Sequence, residues 1–253
     1  ANAVAYSMHL DKRTDFLART RISEHTNTLI LLCNCAPEER IGRILPLVEA
    51  AKDGKFIGSS PDDAAHFPVD EIVPVGSPWF LFFTLETLLK QHKTATAITL
   101  IRTQWGRMLA QGATTFWETF PNLQATHWSR SLCHGWSAAP AYFLSTQVLG
   151  IQAAAPGYSR VRITPHTNGL DWAKGTVPSP QGDITVSWSR QGATIEIELT
   201  MPTNVVGELL IEEATSQSEH IDGIKGQISH EQQQWHVTFA RGGFTRYRLH
   251  LTK

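Results

Sequence analysis

The sequence predicts a chain of two parts, an incomplete ring of helical hairpins followed by an antiparallel β-sandwich. Three observations carry this reading. Apolar residues recur at helical spacing from about Ser23 to Gly150, and from Tyr158 onward they alternate with polar residues in period two. Phe80, Leu81, Phe82, Phe83 and Leu85 make one helix apolar on nearly every side, and a few hairpins cannot enclose such a helix. Charged residues are 18% of the 253, against about 25% in a typical soluble domain, so part of the surface is expected to face more protein. The domains are placed at residues 1–152 and 153–253, divided at the Ala153, Ala154, Ala155, Pro156, Gly157 run.

The helical part is read in order. Ser23 caps a helix through Thr28, Leu29, Leu31, Leu32 and Cys35. Pro37, with Glu38 and Glu39 behind it, opens a second helix carrying Ile41, Ile44, Leu45 and Val48 on one face. Pro46 is expected to kink that helix or end its regular part. Lys52 to Val75 reads as loop. Ser77 and Pro78 then open WFLFFTLETLLKQ, and a further helix spans about Thr94 to Leu109, ending before Gly112. The last begins near Ser137 and stops at Gly150, a suitable C-terminal glycine. Five or six helices of this kind call for completion, either by the remainder of a larger helical toroid or by a second copy of the chain. Beyond Tyr158, segments such as SRVRITP, DITVSWSR and ATIEIELTM, spaced by Gly, Pro, Asn and Asp, predict seven or eight strands.

Composition excludes several classes of partner. A net charge of −1 and a pI near 6.9 give no electrostatic reason to expect nucleic acid or an anionic membrane. No window approaches the roughly 18 apolar residues of a membrane helix. The opening ANAVAYSMHLDKRTD lacks the pattern of a signal peptide, and without an initiator Met the natural N-terminus is expected upstream. Cys33, Cys35 and Cys133 are odd in number and form no CxxC, which predicts buried free thiols rather than disulfides or a zinc site. The compartment is left open.

Chemistry concentrates in two segments. GATTFWETF places Glu118 between Trp117 and Thr119 among aromatic residues. A carboxylate packed on rings is partly desolvated and so a better base near neutral pH, and rings beside an acid suit a sugar. The alternative is a glutamate that caps the next helix or pairs with Arg107 or Arg130. HWSRSLCHGWSAAP gathers His127, Trp128, Arg130, His134 and Trp136 ahead of a helix. The alternative there is a loop histidine and a packing tryptophan. The spacing of His127 and His134 is no metal signature, and no metal or other cofactor is expected. Serine-hydrolase, Walker and dinucleotide motifs are absent from the sequence.

SEHTNTLILL, VPVGSPWFLFFTLE, WGRMLAQGATTFWETF, SLCHGWSAAPAYFLSTQVLGI and PGYSRVRITPH, in that order, resemble the last part of bacterial and fungal α-L-rhamnosidases of glycoside hydrolase family 78. The resemblance covers nearly the whole chain and weakens after about Gly192. It implies the second half of an (α/α)6 barrel followed by a C-terminal β-sandwich, acting on a rhamnose-containing glycoside with inversion. It further implies that Glu118 is the general base, that His134 contacts the sugar, and that Trp136 and Trp117 are pocket walls. The family's general acid lies in the first half of the barrel, and no matching stretch occurs here. The chain is therefore expected to be a fragment carrying the base alone, with the rest of the barrel or a second copy as its partner. Two competing readings are another (α/α)6 glycosidase and a non-catalytic carbohydrate-binding module working through the sandwich. Against the second, Trp172, Trp188 and Trp235 fall on different strands. A purely structural helical partner is a third reading, and it leaves Glu118 among tryptophans unexplained.

Overall fold

The computed structural model describes residues 22–53, 72–73, 77–121, 131–167, 169–212, 214, 218–231 and 234–251. They divide into two compact units, Ala1–Ala139 and Pro140–Lys253.

In the first unit, β1 (Ile22–Ser23) pairs in parallel with β2 (Ile72–Val73), just ahead of helix α1 (Glu24–Leu32). The Ser23 hydroxyl accepts from the Thr26 amide, the capping bond that its position predicts. Helix α2 (Glu38–Glu49) starts behind Pro37 and runs three residues past Pro46 into a 3₁₀ turn at Ala50–Asp53, so Pro46 does not end it. The residue four back, whose carbonyl the proline ring crowds, is Gly42, which carries no side chain to add to the crowding.

Helix α3 (Pro78–Lys90) begins with the proline at its first position. Phe80, Leu81, Leu85 and Leu88 are buried, whereas Phe82 and Phe83 are half-buried and Trp79 is exposed. The hairpins of this unit thus cover α3 on one face only and do not enclose it, as their small number leads one to expect. Polar side chains on α3 tie it to α1: Thr87 donates to the Thr28 carbonyl and Lys90 Nζ to that of Leu32. Helix α4 (Thr94–Ala110) is held to the 3₁₀ turn through Gln104 and Thr103, which donate to Ala51 and Lys52 carbonyls. Gly112 follows at φ 82°, a left-handed stop that favours glycine. His25 packs its ring 4.2 Å from that of Phe80, and burial lowers its pKa. The three cysteines are exposed, not buried: Cys33 and Cys35 lie at and beyond the end of α1, and Cys133 lies in an irregular segment, where no layer covers them.

The second unit opens with α5 (Ala139–Phe143) and a π turn at Leu144–Val148. Two five-stranded sheets follow. The first, in the order β10-β11-β8-β4-β3, joins Gln227–Glu231, Gln234–Phe239, Val206–Glu212, Arg160–Ile163 and Ile151–Ala153. The second, in the order β5-β6-β7-β12-β9, joins Trp172–Val177, Ile184–Gln191, Thr194–Thr200, Phe244–His250 and Glu219–Gly223. Among the paired strands of both sheets, only β4 with β8 is parallel. Residues of alternate position fill the layer between the sheets. Val161, Ile163, Leu209, Ile211, Trp235 and Val237 come from one, and Val186, Trp188, Ile197, Leu199, Tyr247 and Leu249 from the other, all buried. Trp235 meets Tyr247 across the layer with ring centroids 5.0 Å apart.

Gly150 joins the π turn to β3 at φ 77°, and a Cβ built there would lie 2.2 Å from the Thr164 carbonyl carbon. Gly150→Ala therefore combines an unfavourable backbone conformation with a backbone collision. It is expected to destabilise the sandwich by more than about 1 kcal/mol, read as a lower urea midpoint. An unchanged midpoint would show that β3 and β4 separate freely at this point.

Candidate active site

Two irregular segments of the helical unit lie side by side. The first leaves α4 at Gly112 and carries Thr115, Phe116, Trp117 and Glu118; the second is Ser131–His134. The Glu118 amide donates to the Ser131 carbonyl at 2.8 Å and the His134 amide to the Phe116 carbonyl at 2.7 Å. The Thr115 hydroxyl donates to the Leu132 carbonyl between them. Residues 13 to 18 apart in sequence are thereby fixed as neighbours, and the Glu118 and His134 segments meet.

The first segment is anchored from below. Trp117 is 6% exposed and Phe120 is buried, the latter edge-on to Trp105 of α4 at 5.3 Å. Trp105 Nε1 in turn donates to the Ser137 carbonyl at 2.7 Å, holding the 3₁₀ turn Gly135–Ser137 against the same helix. One indole thus braces both segments. Glu118 is half-buried, and among the described residues no ion pair or side-chain hydrogen bond engages its carboxylate. It is not paired with Arg107; Arg130, with His127 and Trp128, lies outside the described residues.

His134 is half-buried and its Nε2 is enclosed without a hydrogen-bond partner. A buried polar atom in that state is costly unless a ligand or water satisfies it. Trp136 stands edge-on to this imidazole, centroids 5.0 Å apart and planes at 88°, and is itself 68% exposed. Trp79, at the start of α3, lies 6.1 Å from Trp136 with the planes tilted by 46°, and is 47% exposed. Phe83 supports Trp79 from one turn on, at 5.5 Å. The structure therefore brings Glu118, Trp117 and His134 onto adjoining segments with Trp136 against the histidine, and adds Trp79, which the sequence did not single out. The signal for Trp79 was its place immediately after the Ser77–Pro78 helix start, since groups at a helix N-terminus sit at the edge of the helical layer.

Chemically, the arrangement offers a carboxylate and an imidazole nitrogen that lack a partner among the described residues, and two exposed indoles. Such a set accepts a proton and binds a molecule with both hydroxyls and apolar C–H faces. No group of three or more His, Cys, Asp or Glu side chains able to hold a metal ion occurs among the described residues. No helix among them is long and apolar enough to cross a membrane.

Residues 72–148 match the model of the bacterial α-L-rhamnosidase six-hairpin glycosidase domain, and residues 150–225 that of the bacterial α-L-rhamnosidase C-terminal domain. An α-L-rhamnosidase of Alteromonas sp. (strain LOR) is 29% identical over 112 residues, covering 42% of this chain and 12% of the relative. Among solved structures, a rhamnosidase of glycoside hydrolase family 78 from Bacillus sp. GL1 is 33% identical with a TM-score of 0.57, covering 74% of this chain and 20% of that one. The α-L-rhamnosidase from Dictyoglumus thermophilum shares the fold at a TM-score of 0.67 and 18% identity, covering 93% of this chain and 27% of that one. The chain thus spans only a small part of the relatives it matches.

Proposed function

We propose that this chain, which belongs to the bacterial α-L-rhamnosidases, supplies the base half of a hydrolytic site that removes terminal α-L-rhamnose. The observation that carries the reading is the Glu118 carboxylate, without a partner among the described residues, on a segment hydrogen-bonded to the one bearing His134. Residues 1–152 act as the C-terminal half of an (α/α)6 barrel and residues 153–253 as the sandwich that follows it. The rest of the barrel, or a second copy, completes the site.

In this mechanism the Glu118 carboxylate takes a proton from a water, whose oxygen attacks the anomeric carbon and inverts it. A carboxylic acid outside this chain protonates the departing glycosidic oxygen. Inverting enzymes hold these two groups roughly 6.5–9.5 Å apart to leave room for the water. His134 Nε2, donor or acceptor according to its tautomer, takes a ring hydroxyl and so gains the partner it lacks. Trp136 packs on the C–H face that includes the C6 methyl of rhamnose, and Trp79 extends that apolar wall. Trp117, buried beneath the segment, fixes the direction in which Glu118 points.

The reading is tested by assaying the 253-residue chain, and a longer protein containing it, on p-nitrophenyl α-L-rhamnoside and on nitrophenyl glycosides of other sugars. The longer protein is expected to hydrolyse the rhamnoside well ahead of the rest, and the 253-residue chain to hydrolyse none. Equal or better turnover of another glycoside would overturn the substrate. Turnover by the shorter chain alone would overturn the division of acid and base.

A further inference from the structure

The outer face of the second sheet places a single row of side chains side by side across all five strands. Register sets Trp172 of β5 opposite Ser189 of β6, Ser189 opposite Glu196 of β7, Glu196 opposite Arg248 of β12 and Arg248 opposite Glu219 of β9. Period-two alternation turns these residues away from the core, because their neighbours Trp188, Ile195, Ile197, Tyr247 and Leu249 are buried. Of the three tryptophans in the strands, Trp188 and Trp235 are core residues, while Trp172 is 69% exposed on an edge strand. Scatter along the sequence therefore hid a single outward ring.

Beside that ring the surface is concave and polar. A depression of about 330 Å³ is lined by Ser189, Gln191, Thr194, Glu196 and Arg248. Its charged groups are already positioned: Arg248 donates from Nε and Nη2 to Glu196 Oε1 at 2.8 and 2.6 Å, and Glu219 approaches its Nη1 at 3.7 Å. At strand spacing, the row from Trp172 to Arg248 runs about 14 Å.

We propose that this face is a second saccharide-binding site, carried by the sandwich, with Trp172 as the stacking platform and Ser189, Glu196 and Arg248 as hydroxyl contacts. Three features select a neutral sugar. The indole presents an apolar face for pyranose C–H groups. The Arg248 guanidinium is matched by two carboxylates, so the row as a whole attracts neither phosphate nor another anion. A protein interface would need a desolvated apolar centre, and beyond Trp172 this row offers polar groups alone. Assigning rhamnose as the sugar rests on the function proposed above; the site itself does not.

The test uses the 253-residue chain labelled with ¹⁵N-tryptophan and titrated with L-rhamnose, an α-linked rhamnose disaccharide and, separately, D-galactose. The chain has eight tryptophans, and the indole N–H signal missing from Trp172→Ala identifies that residue. Its signal is expected to shift and saturate, more steeply for the disaccharide. Trp172→Ala is expected to weaken disaccharide binding to the sandwich by about five- to tenfold, the worth of a ring contact. Ser189→Arg, which fills the depression, should weaken it while leaving Trp172 in place. Trp136→Ala should leave the Trp172 response unchanged. A Trp172 signal that no sugar moves, or undiminished binding in a folded Trp172→Ala chain, would overturn the site. Movement with D-galactose and not rhamnose would uphold the site and overturn its sugar class, and the nitrophenyl panel would then show separately whether the hydrolytic reading fails.

Discussion

Glu118→Gln, in a protein that carries the complete site, is expected to lower kcat by on the order of 10²–10⁴, the share of one positioned acid–base group, with little change in KM. The amide has nearly the shape of the carboxylate but cannot take the proton of the attacking water. The fold should not suffer, because none of the bonds that hold this segment uses the Glu118 side chain. The Glu118 amide still reaches the Ser131 carbonyl and the His134 amide the Phe116 carbonyl. Trp117 and Phe120 still anchor the segment from the core. A steady-state assay on p-nitrophenyl α-L-rhamnoside checks this. Activity within threefold of the parent protein would remove Glu118 from the mechanism, and a raised KM at unchanged kcat would make it a binding group. In the pH profile, the limb due to the general base should vanish from the residual activity.

The largest structural loss is expected at Trp188. This residue is 1% exposed in the centre of the sandwich, and its Nε1 donates to the Val148 carbonyl at 2.9 Å. Its strand neighbours at the same level are Ala173 and Ile197. Trp188→Ala opens a cavity that these cannot fill and leaves the Val148 carbonyl without its donor. The expected cost is about 3–5 kcal/mol. Trp188→Phe keeps a ring in the layer and loses mainly the hydrogen bond, costing about 1–3 kcal/mol. Urea unfolding, with amide exchange in β6 and β7 as a local readout, measures both. A loss below 1 kcal/mol for the alanine variant would mean that the tie between the π turn and the second sheet is not a principal support of this unit.

Much of this was legible beforehand. Ser23 and Pro78 marked helix starts through a capping hydroxyl and a first-position proline, and Gly112 and Gly150 marked helix ends as left-handed glycines, all local properties. The strands of the sandwich announced themselves through alternation. GATTFWETF and HGWSA drew notice as places where a carboxylate, histidine and indoles collect. One expectation failed for a physical reason: the cysteines lie where no layer covers them. Pro46 sits inside α2 and does not end it, and α3 is covered on one face while Trp79 is exposed, in line with hairpins too few to enclose it.

Periodicity and turn residues thus determined, from the sequence alone, that helices precede a sandwich and where most elements start. Tertiary structure alone decided which rings are core and which are exposed. Trp188 and Trp235 went inside, and Trp79, Trp136 and Trp172 went outside. It also decided that Glu118 lies beside the His134 segment and that Trp172 heads a row ending at Glu219. The reason is that burial and register are set by partners far away in the chain. A tryptophan one strand position over faces the opposite side of the sheet, and nothing within its own segment records what will pack against it.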